Sequence, residues 1–416
     1  MIKCNLISMS KGHAIKKGEA GRLIGIKRRY VTMVALIVAL SMFAVGCGGG
    51  AGDGADADKD KAAADVIKIG VYEPLTGTNA AGGQMTVEGI ELANELYPEV
   101  LGKKIELFVV DNKSEKQEAA NAVERLISKE KVNVIIGSYG SSLSMAGGPV
   151  ALDAKVPVIG CSPTNPAVTV DNDYYFRVCF IDPFQGTVMS NYATGELGAK
   201  TAAIIQDVQQ DYSVGLSSYF EKAFKATNGD TSILAKVNYN TGDKDFSAQL
   251  TEIKSKNPDV IFAPGNFLEC GILVAKAREL GIEVPILGGD TWEAEEFLNQ
   301  VSQYKDIYFS THFTAEEPVT EVSTAFLDAF KTKYPDKEVN AFAALGFDTY
   351  ILALDAMERA GSADSQAITD ALADTNGFKG ATGIITLDVN GDATKTAVIK
   401  KVMDGKFVYE TKVDPK

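Results

Sequence analysis

Apolar residues alternate between two rhythms from Val66 onward. Short runs of Val, Ile and Leu on consecutive positions give way to longer stretches in which apolar residues recur every third or fourth position. The runs at 66–72 (VIKIGVY), 105–111, 132–136 and 156–160 predict strands, the last two nearly all apolar and so buried on both faces. The stretches at 85–97 and 115–129 predict helices between them. In the second, Ala119, Ala122, Val123, Leu126 and Ile127 share the face that packs on a sheet. The turn-rich EPLTGTNAAGG that precedes Met85 reads as a loop.

A second series of the same kind follows Phe176-Arg177-Val178. Strands are predicted at 201–206, 232–237, 260–264 and 284–288, with helices at 185–198, 214–226, around Phe246, Leu250 and Ile253, and at 270–280. After a further strand at 307–313, helices are predicted at 319–333, 341–360 and 365–373, then short strands at 384–387 and 397–403. Strand and helix alternating in this way define an α/β fold with two doubly wound parallel-sheet lobes. The late helices exceed what the second lobe needs, so the chain is expected to cross back and complete the first. The expected lobes are 66–183 plus 313–390 and 184–312 plus 391–416, joined by a hinge of two to three strands.

The strands at 132–136 and 156–160 run into GSYGSS and CSPTNP, so hydroxyls gather where an open parallel sheet binds ligands. Ser141 and Ser142, with the first N–H groups of the helix they open, and Ser162 and Thr164, in a loop stiffened by Pro163 and Pro166, suit an anion. Tyr139 accompanies them, with Glu73 and Thr76 after the opening strand. Strand ends of the second lobe offer Tyr212, Asn266, Glu269, Asp290 and Trp292. Two hydroxyl-rich loops facing an aromatic and acidic pair suit a small zwitterion, with hydroxyls on its carboxylate and a carboxylate on its ammonium.

Lys27, Arg28 and Arg29 precede an apolar run at 31–45, short for a membrane span but right for an export signal. The run ends at Ala44-Val45-Gly46-Cys47, which resembles a bacterial lipobox, so 1–46 is expected to be a lipoprotein signal peptide and Cys47 the lipidated N-terminus. The Gly, Ala, Asp and Lys tract at 47–65 then reads as a flexible tether. Met33 or an upstream Met is an alternative start. The body keeps Cys161, Cys179 and Cys270, expected as buried thiols, with a Cys161–Cys179 disulfide as the alternative.

A net charge of −14 argues against nucleic acid as a partner. The loop from Gly77 resembles the start of a phosphate loop, but Gly83-Gln84 stand where Lys and a hydroxyl are needed. No GxSxG elbow occurs, and the body has only His312, expected in the core or hinge. Asp388, Asn390 and Asp392 resemble the start of a calcium loop, yet Ile399 occupies the position of the closing Glu, and a hairpin turn is expected. No cofactor, metal or catalytic set is expected.

The order of Pro74-Leu75-Thr76-Gly77, IIGSYGSS, VPVIGCSPTNP, FRVCFIDPFQG, QDVQQDY, KDFSAQLTEIKSKNPDVIF and AKARELGI resembles the branched-chain-amino-acid type of ABC transporter substrate-binding protein. That family has the class I periplasmic-type binding fold, and the likeness spans 66–413. The resemblance implies that Ser141, Ser162 and Thr164 bind a ligand's α-carboxylate, that Tyr212 is a cleft residue of the second lobe, and that Asp290 anchors the α-ammonium. Asn266 departs from a position where an aromatic residue is common; Asp290 is one methylene shorter than the frequent Glu, with Trp292 filling the space. It further implies a lipid-anchored monomer outside the cytoplasm that captures an amino acid and delivers it to a permease with its ATPase. A sensory module on the same fold is the alternative.

Overall fold

The computed structural model describes residues 66–415; the expected signal peptide, Cys47, the tether and the alternative start Met33 lie outside the described residues. Strand β1 (Val66–Glu73) leads to helix α1 (Ala80–Leu96), β2 (Glu99–Val100), β3 (Lys103–Asp111), α2 (Lys116–Arg125), β4 (Val134–Ile136), α3 (Ser141–Ala154), β5 (Val158–Gly160) and β6 (Tyr175–Arg177). The second series comprises α4 (Asp182–Gly195), β7 (Ala202–Asp207), α5 (Asp211–Asn228), β8 (Ile233–Tyr239), α6 (Ser247–Lys256), β9 (Val260–Phe262), α7 (Phe267–Glu279), β10 (Ile286–Gly288), α8 (Glu295–Val301) and β11 (Ile307–Thr311). Then come α9 (Glu321–Lys333), α10 (Ala341–Ala360), α11 (Ser365–Ala373), β12 (Phe378–Gly380), β13 (Gly383–Leu387), β14 (Ala393–Thr394), β15 (Ala397–Met403) and β16 (Lys406–Val413).

The first sheet runs β2-β3-β1-β4-β5-β6, with β2 antiparallel to its neighbour and the rest parallel. The second runs β16-β15-β11-β10-β9-β7-β8, parallel from β11 to β8 and closed on its far side by the antiparallel pair β15 and β16. The fold is therefore α/β with two parallel-dominated, doubly wound sheets. The central strands β4, β5, β9 and β10 are buried along their whole length, as strands covered by helices on both faces must be.

Helix α10 returns to the first sheet and packs along α1. The two helices meet through glycines: a Cβ on Gly89 would lie 1.8 Å from the Ala343 carbonyl oxygen, and one on Gly346 would lie 2.1 Å from that of Thr86. Side chains of Thr320, Asn340 and Asp364 accept amide hydrogens at the starts of α9, α10 and α11, which fixes where each begins.

The segment expected to be a loop before Met85 is helical from Ala80. Its glycines serve close approach instead of a turn: a Cβ on Gly82 would fall 2.3 Å from the Tyr139 ring, and one on Gly83 would fall 2.1 Å from the Pro74 carbonyl oxygen. Sequence periodicity also missed the short or half-buried elements β2, β6, α8, β12, β14 and β16. Asp388 caps a turn between β13 and β14 by accepting from the amides of Asn390 and Asp392, the hairpin expected there. Cys161, Cys179 and Cys270 are buried free thiols.

Replacing Gly89 or Gly346 by Ala forces α1 and α10 apart. We expect a loss of about 1–3 kcal/mol in urea unfolding, as for other overpacked sites. A midpoint equal to that of the wild type would show that the helices have room to move.

Candidate functional site

Strand β1 pairs with β3 on one side and β4 on the other, and β7 pairs in the same way with β8 and β9. At these points successive connections leave for opposite faces, and a crevice opens beyond the carboxyl ends of the strands. Both crevices contribute to one small, nearly closed cavity. From the first lobe it is lined by Asn79, Tyr139, Gly140, Ser141 and Ser162, and from the second by Gln210, Tyr212, Asn266, Asp290 and Thr291.

On the first-lobe side, Ser141 opens α3, and its Oγ accepts the Asn165 amide hydrogen at 3.1 Å, which leaves the hydroxyl proton to be donated into the cavity. Ser162 Oγ is buried with no hydrogen-bond partner. Its loop is held from behind by Arg177, fully buried, which donates to the carbonyls of Pro163 (2.7 Å) and Asn165 (2.8 Å) and to Asp392 Oδ1 (2.6 Å). An arginine whose donors are met in this way is a rigid brace. Tyr139 donates its amide hydrogen to Glu73 Oε2 at 2.7 Å and sets its ring edge-on to Phe342, centroids 5.0 Å apart. Its hydroxyl, like Ser162 Oγ, has no partner.

On the second-lobe side, the fully enclosed Asp290 accepts from Gln185 Nε2 (2.8 Å) and Tyr212 OH (2.9 Å) on Oδ1, while His312 Nε2 lies 3.2 Å from Oδ2. His312 stacks on Phe180 with centroids 3.8 Å apart. Burial draws its pKa below the usual value, against the opposing pull of Asp290. Asp290 is thus positioned by three donors from three elements, and a carboxylate still has a lone pair to offer a cation.

Contacts between the lobes close the cavity. Asp211, at the start of α5, accepts from Ser142 Oγ (2.9 Å) and Lys116 Nζ (2.9 Å) through Oδ2; its amide donates to Ser142 Oγ at 2.9 Å, and its carbonyl accepts from Asn165 Nδ2 at 2.8 Å. On another side Asn266 Nδ2 donates to Asn79 Oδ1 at 2.7 Å.

Of the residues expected at a ligand, Tyr139, Ser141, Ser162, Tyr212, Asn266 and Asp290 line the cavity. Three lie elsewhere. Ser142 is occupied by Asp211, since the second residue of a helix points along its flank. Thr164 is fully buried in the same loop as Ser162, its Oγ1 without a hydrogen-bond partner. Trp292 is packed over Gly288 and stacked on Phe297 (4.5 Å), a core position of the second lobe. Thr76 donates to Asp111 at 2.7 Å on the surface, and Glu269 accepts the Gly242 amide hydrogen. Asn79, Gln210 and Thr291 were missed among the lining residues, as were Gln185 and His312 behind Asp290. Only their sites just after a strand or at a helix start marked them in the sequence.

A model of the family described as periplasmic binding protein matches residues 66–406. A leucine-binding protein from Thermotoga maritima is 42% identical over 84% of this chain and 99% of its own, with a TM-score of 0.81. The branched-chain amino acid transporter substrate-binding protein from Streptococcus pneumoniae, solved with isoleucine, is 36% identical over 84% of this chain and 100% of its own, TM-score 0.79. The Leu/Ile/Val-binding protein BraC3 of Rhizobium johnstonii is 30% identical over 82% of this chain and 93% of its own. The chain belongs to the periplasmic binding protein family, within its branched-chain-amino-acid-binding type. The members named here are solute-binding proteins. Among the described residues no helix is long and apolar enough to cross a membrane.

Burial pushes Glu73 up to about 8, with the Tyr139 amide acting against it, and pushes Asp182 up to about 8, with the Thr164 hydroxyl acting against it. Both bind protons in the folded state that the unfolded chain releases near pH 4, so stability should decline as pH rises from about 4 to about 8. Glu73→Gln should flatten that decline in thermal melts; parallel slopes would remove Glu73 as a cause. Asp211→Ala breaks the interlobe contacts made by its carboxylate, and its radius of gyration by X-ray scattering should exceed the wild-type value without ligand. Equal radii would show that these contacts do not hold the lobes together.

Proposed function

We propose that this protein is an extracytoplasmic, lipid-anchored solute-binding protein. It captures an amino acid, branched-chain or related, between two lobes and delivers it to an ABC permease and its ATPase. The lobes comprise 66–183 plus 313–390 and 184–312 plus 391–416, with the three crossings as hinge, and the body acts as a monomer. One observation carries the reading: in a cavity closed by both lobes, two hydroxyls free to donate, Ser141 and Ser162, share the space with one positioned carboxylate, Asp290. The hydroxyls, with the first amides of α3, take the ligand's carboxylate; Asp290 takes its ammonium, and Tyr212 keeps Asp290 in place. Thr164, its hydroxyl buried without a partner, is a third candidate for the ligand's carboxylate. The reading agrees with the relatives, whose names speak of leucine, isoleucine and valine.

No bond need form or break. Closing the lobes removes water from both ends of the zwitterion, so each charge depends on its fixed partners.

Asp290→Asn keeps the volume and removes the charge. Hydrogen bonds to charged groups are worth about 1.5–3 kcal/mol, so the variant should bind at least roughly tenfold more weakly by calorimetry while its melting temperature moves little. Ser162→Ala should weaken binding without unfolding. Unchanged affinity in Asp290→Asn would remove this residue from the ligand.

A further inference from the structure

We propose that the chain carries a second binding site, apart from the interlobe cavity, for a small organic monocarboxylate with an apolar body. A pocket of about 250 Å³ lies between the small sheet of β12, β13 and β14 and the antiparallel pair β15 and β16. That volume is at the lower end for ligand pockets and admits only a small molecule. His312 and Phe313, just after β11, contribute to its wall, as does Lys395, between β14 and β15. The pocket shares no lining residue with the interlobe cavity. His312 stands between the two, since it lines this pocket while its Nε2 lies 3.2 Å from Asp290 Oδ2.

Lys395 is the group that points to a ligand. It is 4% exposed, and its Nζ donates to Thr382 Oγ1; no other hydrogen bond or ion pair of that nitrogen occurs among the described residues. An ammonium has three protons to donate, so two are left. Asp348 acts on Lys395 only across Thr382, whose hydroxyl and amide it accepts together with the Ala381 amide. Those three donors already stabilise Asp348, and Lys395 is without a counter-ion of its own. Burial draws its pKa down to about 8, against the pull of Asp348. A buried ammonium with one acceptor is costly, and a carboxylate would supply both the missing acceptors and the charge.

The remaining wall sets the rest of the ligand. The other cation of the pocket, Lys412, lies 3.6 Å from Glu317, which also accepts the Tyr409 hydroxyl at 3.2 Å. A second negative charge on the ligand would therefore meet Glu317 with no cation to spare. Phe313, Val319, Ile384 and Val398 offer apolar surface, and Val319 and Ile384 are more than half exposed, at 56% and 58%. Apolar side chains left open beside a buried cation suit an acid whose body covers them. An inorganic anion would leave them bare.

The test titrates the full chain with butyrate, benzoate, n-butylamine and inorganic phosphate, by thermal shift and then calorimetry. We expect butyrate or benzoate to raise the melting temperature, and the amine and phosphate to leave it unchanged. Lys395→Met keeps the length of the side chain and removes its charge, so it should bind the acid at least about tenfold more weakly, whereas Ser162→Ala should bind it as the wild type does. If Lys395→Met fails to fold, which its melt would show, Ile384→Asp takes its place with the same expectation, because it sets a negative charge at an exposed position of the pocket. Weaker acid binding in Ser162→Ala, with none lost in Lys395→Met, would assign the acid to the interlobe cavity and overturn the second site. A flat response to both acids, or an equal response to phosphate, would overturn the proposal as well. The amino-acid reading stands or falls separately, on amino acids titrated into the Asp290 variant.

Discussion

Where two parallel strands send their connections to opposite faces of a sheet, no backbone covers the gap beyond their ends. Strand β1 with β4, and β7 with β9, create that gap once in each lobe. The rest of the site follows from it. Residues placed there sit on short loops between a buried strand and a helix, so they are fixed at both ends and yet face open space. Every lining residue of the cavity comes from such a loop or from the first turn of the helix after it.

Polar groups in that space are treated unequally. Around Asp290 the protein supplies three donors, and around Arg177 it supplies carbonyls and a carboxylate. Ser162 and Tyr139 hydroxyls, by contrast, are buried without partners. A buried polar atom left unpaired costs about 1–3 kcal/mol, so such atoms are tolerable where something else fills the role. Both line the same cavity, where they stand beside groups the protein has already positioned.

The closed arrangement has its own supports. Asp211 and Asn266 join the lobes through polar contacts, and Lys116 and Asp211 are partly exposed, so the contact is exchangeable with water. A polar, half-solvated contact of this kind permits opening, whereas a broad apolar interface would resist it. Lobes that close by such contacts leave ligand binding to supply the remaining stabilisation.

Much of this was legible along the chain. The alternation of largely apolar runs with helical periodicity determined the α/β class and the doubly wound lobes, because strands covered on both faces are mostly apolar. Ser141 and Ser162 were marked by their place just after such runs. Periodicity could not reveal β16, whose half-buried strand mixes Lys, Glu and Thr with apolar residues, or α1's start, where glycines serve packing against Tyr139 and Pro74. Nor could it tell which side chains share the cavity. Trp292 and Asp290 are two residues apart, yet one packs over Gly288 while the other lines the cavity. Asn79 and Asn266 lie 187 positions apart and touch. Local pattern records which face of an element is buried. What that face meets depends on how distant elements pack, and only the tertiary structure decides that.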